Sequence, residues 1–157
     1  MTKHLITLLL LCNLFACAMS PFNNDIKQGH FRIENTSYDN NQGRKEYVYL
    51  MCHKHKPATW VTARQYPAGK HNIWVKATYQ EANNHNSYQV AFANFNLTLP
   101  AGGNYQLAHT IHDESISIWL QDINTLSAKS EVITAKLTRN NIANSTKLIN
   151  QCKQGTV

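Results

Sequence analysis

From His71 to Gln80 the chain alternates between apolar and polar side chains, with Ile73, Val75, Ala77 and Tyr79 in one phase and Asn72, Trp74, Lys76 and Thr78 in the other. A period of two sends successive side chains to opposite faces of a strand, so this segment belongs in a sheet with one buried face. The signal recurs along the chain. Glu46–His55 sets Val48, Leu50 and Cys52 against Tyr47, Tyr49, Met51, His53 and His55. Tyr88–Leu99 carries Val90 and Phe92 in one phase and Phe95, Leu97 and Leu99 in the other, a slip that predicts a β-bulge near Ala93-Asn94. Asn104–His112, Ser115–Asp122 and Glu131–Arg139 read as further strands, and Phe31–Glu34 and Thr59–Arg64 as short edges. Asn35–Lys45 is polar enough to be a long loop, and only Ile142–Gln151 has a helical period. About seven to eight short strands separated by turn signals predict an all-β fold, a single-domain antiparallel β-sandwich over residues 31–157.

Ahead of that domain lies a different kind of segment. Lys3 precedes the apolar run Leu5–Leu11, which closes on Leu14-Phe15-Ala16-Cys17. At roughly 13 apolar-rich residues the run is short of the ~20 that cross a bilayer, so residues 1–16 read as a signal peptide. The four closing residues resemble the lipobox of bacterial lipoproteins, in which the peptide is cut before the cysteine and the cysteine carries the lipid. The resemblance implies lipidation at Cys17 with palmitate-type chains, then a lipidated N-terminus and flexible tether over residues 17–30. It also implies a place in the cell envelope. Ala18 is not the aspartate that favours inner-membrane retention, so the expectation is an outer membrane lipoprotein facing the periplasm. Cleavage near Ala18 or Met19 would instead leave a secreted or soluble periplasmic protein.

Cysteine usage agrees with export. Cys12 leaves with the signal and Cys17 is taken by lipid, so Cys52 and Cys152 remain, and a lone pair in an exported chain reads as one disulfide. A metal is the competing use, because Cys52-His53-Lys54-His55 packs three ligand types into four residues. On a strand, however, His53 and His55 point away from Cys52, so convergence on one ion would need a turn. No metal or cofactor is expected. The whole chain has a formal charge of +6, or +5 once Lys3 is removed. That balance suits anionic headgroups or an acidic partner, and no basic cluster forms a nucleic-acid motif.

Two tripeptides echo each other. Pro67-Ala68-Gly69 and Pro100-Ala101-Gly102 each stand before an alternating strand, with proline fixing one corner and glycine supplying the positive φ of the next. A Pro-Ala-Gly-x-His-x-Ile-x-Val strand followed by Leu-Pro-Ala-Gly-x-x-Tyr-x-Leu resembles small envelope domains of the PEGA or transthyretin-like kind, over roughly Thr59–Leu120. The resemblance implies an immunoglobulin/transthyretin-like scaffold that binds or spaces other molecules, and it brings no catalytic residue with it.

Chemistry-bearing motifs are sparse. The chain holds no Gly-x-Ser-x-Gly elbow, no glycine-rich phosphate loop and no His-Glu-x-x-His pair. Asp113 and Glu114 are neighbours whose side chains diverge, which does not suit a glycosidase pair. His109 shares a phase with Tyr105, Leu107 and Ile111 and is expected at the interior or rim of the core. An enzyme acting on a small-molecule substrate is therefore not expected. Candidate binding residues are the exposed phases of two strands, Tyr47, Tyr49, His53 and His55 on one and Trp74 and Lys76 on the other, where aromatics stand beside cations. The competing expectation covers this face with the Asn35–Lys45 loop or the C-terminal segment. The function expected is that of a non-enzymatic cell-envelope lipoprotein, an accessory or structural module of a membrane-bound assembly with an envelope protein partner. The alternative is a periplasmic protein that binds an envelope polymer or inhibits a foreign enzyme.

Overall fold

A computed structural model describes residues 25–40, 43–81, 84–140 and 143–157. The expected signal peptide, Cys17 and most of the expected tether lie outside them. The described chain is mostly strand. In order come β1 (His30–Glu34), β2 (Thr36–Asp39), β3 (Arg44–Leu50), β4 (Cys52–His53), β5 (Lys56–Pro57), β6 (Ala63–Pro67), β7 (Gly69–Glu81), β8 (Asn84–Leu99), β9 (Asn104–His112), β10 (Ser115–Asp122), β11 (Ile133–Lys136) and β12 (Thr138–Arg139), followed by one helix, α1 (Ala143–Gln154). One five-stranded sheet has the order β11-β10-β9-β1-β6, the other β12-β8-β7-β3-β2, and β4-β5 is a separate hairpin.

The two Pro-Ala-Gly tripeptides turn out to be the corners where the chain changes sheets. The first joins β6 of one sheet to β7 of the other, and the second joins β8 back to β9. They lie side by side, since Gly69 pairs with Leu99. Gly69 has φ +139 and Gly102 φ +78, and no atom crowds either position, so backbone conformation alone demands glycine there. The start of β1 is held by both corners. Ala68 N donates to Gly29 O and Gly102 N to His30 O, each at 2.8 Å. Strand β1 and strand β9 therefore leave the same end in the same direction, which is why they pair in parallel, Ile33 with Tyr105, where an all-antiparallel arrangement was expected. The other strand pairs are antiparallel.

The inward residues of both five-stranded sheets form a single cluster. Ile73, Val75 and Ala77 of β7 meet Phe31, Ile33, Leu107, Ile118 and Leu120 from the opposite sheet. Phe31 sits at the corner, with its ring centroid 5.9 Å from Tyr66, 5.0 Å from His71 and 6.2 Å from Tyr105. Removing so much apolar surface from water is the main drive to fold.

Several local expectations need correction. Phe31–Glu34 is not an edge, since β1 lies between β9 and β6, and the edge strand expected over Thr59–Arg64 is instead Ala63–Pro67. No bulge interrupts β8 at Ala93-Asn94; register with β7 is continuous from Gly69↔Leu99 to Tyr79↔Gln89 and shifts only beyond Tyr79. Small Ala91 and Ala93 continue the inward phase of Phe95, while Val90 and Phe92 lie on the outer face, so both faces of this strand carry apolar residues. The loop expected over Asn35–Lys45 instead contains β2, which pairs with β3 from Thr36↔Val48 to Asp39↔Lys45, and as an edge strand with polar residues on both faces it shows no alternation. Glu131–Arg139 divides at buried Leu137, with β11 pairing in one sheet and β12 in the other.

Candidate binding site

Strand β3 ends at Leu50, and this breaks up the face on which Tyr47, Tyr49, His53 and His55 were expected together. Leu50 is buried in the core between the sheets, whereas Met51 and Cys52 are buried in a separate cluster. Lys54 (φ 52) and His55 (φ 60) then form the two-residue turn of the β4–β5 hairpin, both in the left-handed region that such tight hairpin turns require. Non-glycine residues there cost of order 1–3 kcal/mol each. The C-terminal residues offset it: Val157 O accepts from His55 N at 3.3 Å, and Gly155 O lies 3.0 Å from His55 Nδ1. The turn that a metal site needed is thus present. Cys52, however, is bonded to Cys152, and among the described residues no three His, Cys, Asp or Glu side chains are placed to hold an ion.

Tyr49, Trp74 and Lys76 do come together. Tyr49 pairs with Lys76 across β3–β7, and Lys76 with Phe92 across β7–β8. Helix α1 lies against this outer face. Met51 and the Cys52–Cys152 disulfide form the centre of a second apolar cluster, with Tyr49, Trp74, Phe92 and Leu148 packed on it. Trp74 Nε1 is buried without a hydrogen-bond partner among the described residues. Burial, and to a lesser degree Tyr88, pushes the Tyr49 phenol up to about 12, and burial lowers the Lys76 pKa. The C-terminal segment thus makes a second core layer out of the tyrosine and tryptophan expected to meet a partner. Tyr47 stands apart, edge-on to Trp60 with centroids 5.9 Å apart, and Trp60 is 37% exposed.

Exposed chemistry gathers at another place. A cleft of about 620 Å³ is lined by Lys27, Arg32, His53, Thr62, Ala63, Arg64 and Gln65, and no acidic residue lines it. Its floor is edge strand β6. Arg32 on β1 pairs with Gln65, while Arg64 pairs with core residue Ile33, so adjacent lining residues of β6 belong to opposite phases and the cleft wraps round the sheet edge. Gln65 fixes the incoming chain, its Oε1 accepting from Lys27 N at 2.8 Å and its Nε2 donating to Asp25 O at 2.9 Å. This brings the last residues of the expected tether onto the domain. Asn35 secures the segment before β6: its Nδ2 donates to Val61 O at 2.7 Å, and its N to Thr62 O at 2.8 Å. Arg32 is held by an ion pair with Glu34, whereas among the described residues Lys27 and Arg64 have no carboxylate partner. His53 reaches this cleft from the β4–β5 hairpin; burial first, then Arg64 and Lys54, lowers its pKa.

A second polar group lies between the sheets at the end away from the corners. Glu46 of β3 is buried, its Oε2 is 2.7 Å from His109 Nε2 of β9, and its Oε1 accepts from Arg44 Nε. His109 is near the rim, as its phase predicted, with 12% of its side chain exposed. The pair thus joins β3 of one sheet to β9 of the other.

Of the sequence-derived candidates, the cleft takes in only His53. Lys27, Arg32 and Arg64 were missed, and the signal that could have found them is cationic residues on short strands. Comparison with known proteins returns no relative, for no family model, curated protein or solved structure matches the chain.

Proposed function

We infer that this chain is a non-enzymatic module of a bacterial cell envelope, exported by residues 1–16, lipidated at Cys17 and carrying one immunoglobulin/transthyretin-like sandwich over residues 31–157. It acts by binding, as an accessory component of a membrane-bound assembly, and the cationic cleft is its contact site. The observation that carries this reading is the buried Cys52–Cys152 bond, which closes a loop of 100 residues beneath α1. A structural disulfide of this kind belongs to oxidising compartments outside the cytosol. The cleft supports binding as the mode of action, since its cations gather at a sheet edge with no carboxylate among its lining residues.

Fractionation with intact mass measurement tests the placement. The mature protein is expected in the membrane fraction with a lipid mass increment at Cys17, and Cys17→Ala should move it to the soluble fraction or leave it unprocessed. A wild-type protein found wholly in the soluble fraction without that increment would overturn the lipoprotein reading. Crosslinking in intact cells followed by purification should then yield a stoichiometric envelope partner, lost when Arg64 is changed to Glu.

A further inference from the structure

We propose that the cleft around β6 is a binding site for a phosphate monoester carried on a larger molecule, engaged by Lys27, Arg32, His53 and Arg64. The proposal deepens the binding function inferred above by naming its ligand chemistry. It rests on that reading only for where the ligand is met.

Charge comes first. Three permanent cations and a histidine line one cleft without a lining carboxylate, and two of those cations have no ion-pair partner among the described residues. Like charge concentrated along a sheet edge raises the local potential that attracts anions. A phosphate monoester brings about 1.5–2 negative charges at neutral pH, against one for a carboxylate, and so matches the excess better. Geometry points the same way, because the planar guanidinium fork matches phosphate oxygens two at a time, and Arg32 is already oriented by Glu34.

Unused hydrogen-bonding capacity is the second argument. His53 lines the cleft, and its Nδ1 has no hydrogen-bond partner among the described residues. Gln65, by contrast, has both ends of its amide occupied by the incoming chain and serves to position Lys27. The cleft has room for more than a bare ion. About 620 Å³ falls within the range of roughly 300–1,000 Å³ typical of organic-ligand sites. A phosphorylated lipid headgroup and a soluble phosphorylated sugar or glycerol share this chemistry.

Calorimetric titration of the purified chain with glycerol 3-phosphate tests the site. Saturable binding is expected, weakened tenfold or more in a Lys27→Gln, Arg64→Gln double variant. A charge-matched pair on exposed residues elsewhere, Lys129→Gln with Lys147→Gln, should bind like wild type, and thermal melts of both variants verify folding. No saturable binding, or equal weakening in the two variants, would overturn the proposal and leave only nonspecific attraction. Co-sedimentation of the Cys17→Ala chain with phosphatidylcholine vesicles, with and without phosphatidic acid, separates the sources. Capture by phosphatidic acid that depends on Lys27 and Arg64 assigns a headgroup, and glycerol 3-phosphate binding without such capture assigns a soluble phosphoester. Failure of Cys17 to carry lipid would leave these outcomes unchanged, so the two readings fall separately.

Discussion

The sheet pair is closed in contrasting ways at its two ends. Toward the Pro-Ala-Gly corners the closure is apolar and covalent: Phe31, Tyr66 and Tyr105 pack inside, and on the outer face α1 is bonded through Cys152 over Trp74 and Tyr49. At the far end the closure is ionic, with Glu46 bridging to His109 across the sheets and to Arg44 on its own strand, while the Arg44 guanidinium lies 5.6 Å from the Tyr79 ring centroid. The difference teaches where stability resides. Apolar contacts and a crosslink add with little desolvation cost, whereas a buried ion pair returns much of its attraction to the loss of hydration.

Opening the disulfide should therefore give the largest effect. Cys152→Ser is expected to lower stability by about 4 kcal/mol, toward the chain-entropy value for a loop of this length, measured by denaturant unfolding under non-reducing conditions. Trp74→Ala follows at about 3 kcal/mol, the low end for truncating a large aromatic, because Trp74 is only partly buried. A change near zero would mean that α1 does not cover it. At the far end, Glu46→Gln should cost about 1.5–2 kcal/mol through the loss of two charge-assisted hydrogen bonds. A double-mutant cycle with His109→Gln should show a coupling of about 1 kcal/mol, and additivity would show that the bridge does not join the sheets. The smallest effect at neutral pH comes from the tyrosines. Burial raises both Tyr49 and Tyr66 to about 12, so the folded protein holds their protons after the unfolded chain has released them. Their contribution is complete below pH 10 and is lost as pH rises toward 12. Tyr49→Phe should flatten that alkaline loss in a pH series of melts.

Strands with one buried face were legible from their own residues. Ser115–Asp122 is found with the bounds its alternation predicted, and Asn104–His112 likewise. The disulfide followed from counting cysteines. Signals failed where a second surface or a distant partner decides the outcome. Phe92 and Trp74 point outward from their strands yet are apolar because α1 lies over them, a fact settled by residues far along the chain. The Lys54-His55 turn lacks the glycine or asparagine that marks such hairpins, and its stability comes from Gly155 and Val157. The cleft was hidden for the same reason. Arg32, Arg64, Lys27 and His53 converge only through the β1–β6 register, the Gln65 bridge and that turn.

The most direct test of the contrast between the two ends is hydrogen exchange followed residue by residue in the oxidised and the reduced protein. Reduction should strip protection from the amides of α1 and from Met51, whose N–H donates to Trp74 O at 3.0 Å, while β3 and β9 around Glu46 and His109 keep theirs. Unchanged protection in α1 after reduction, or loss spreading evenly over both ends, would contradict the account.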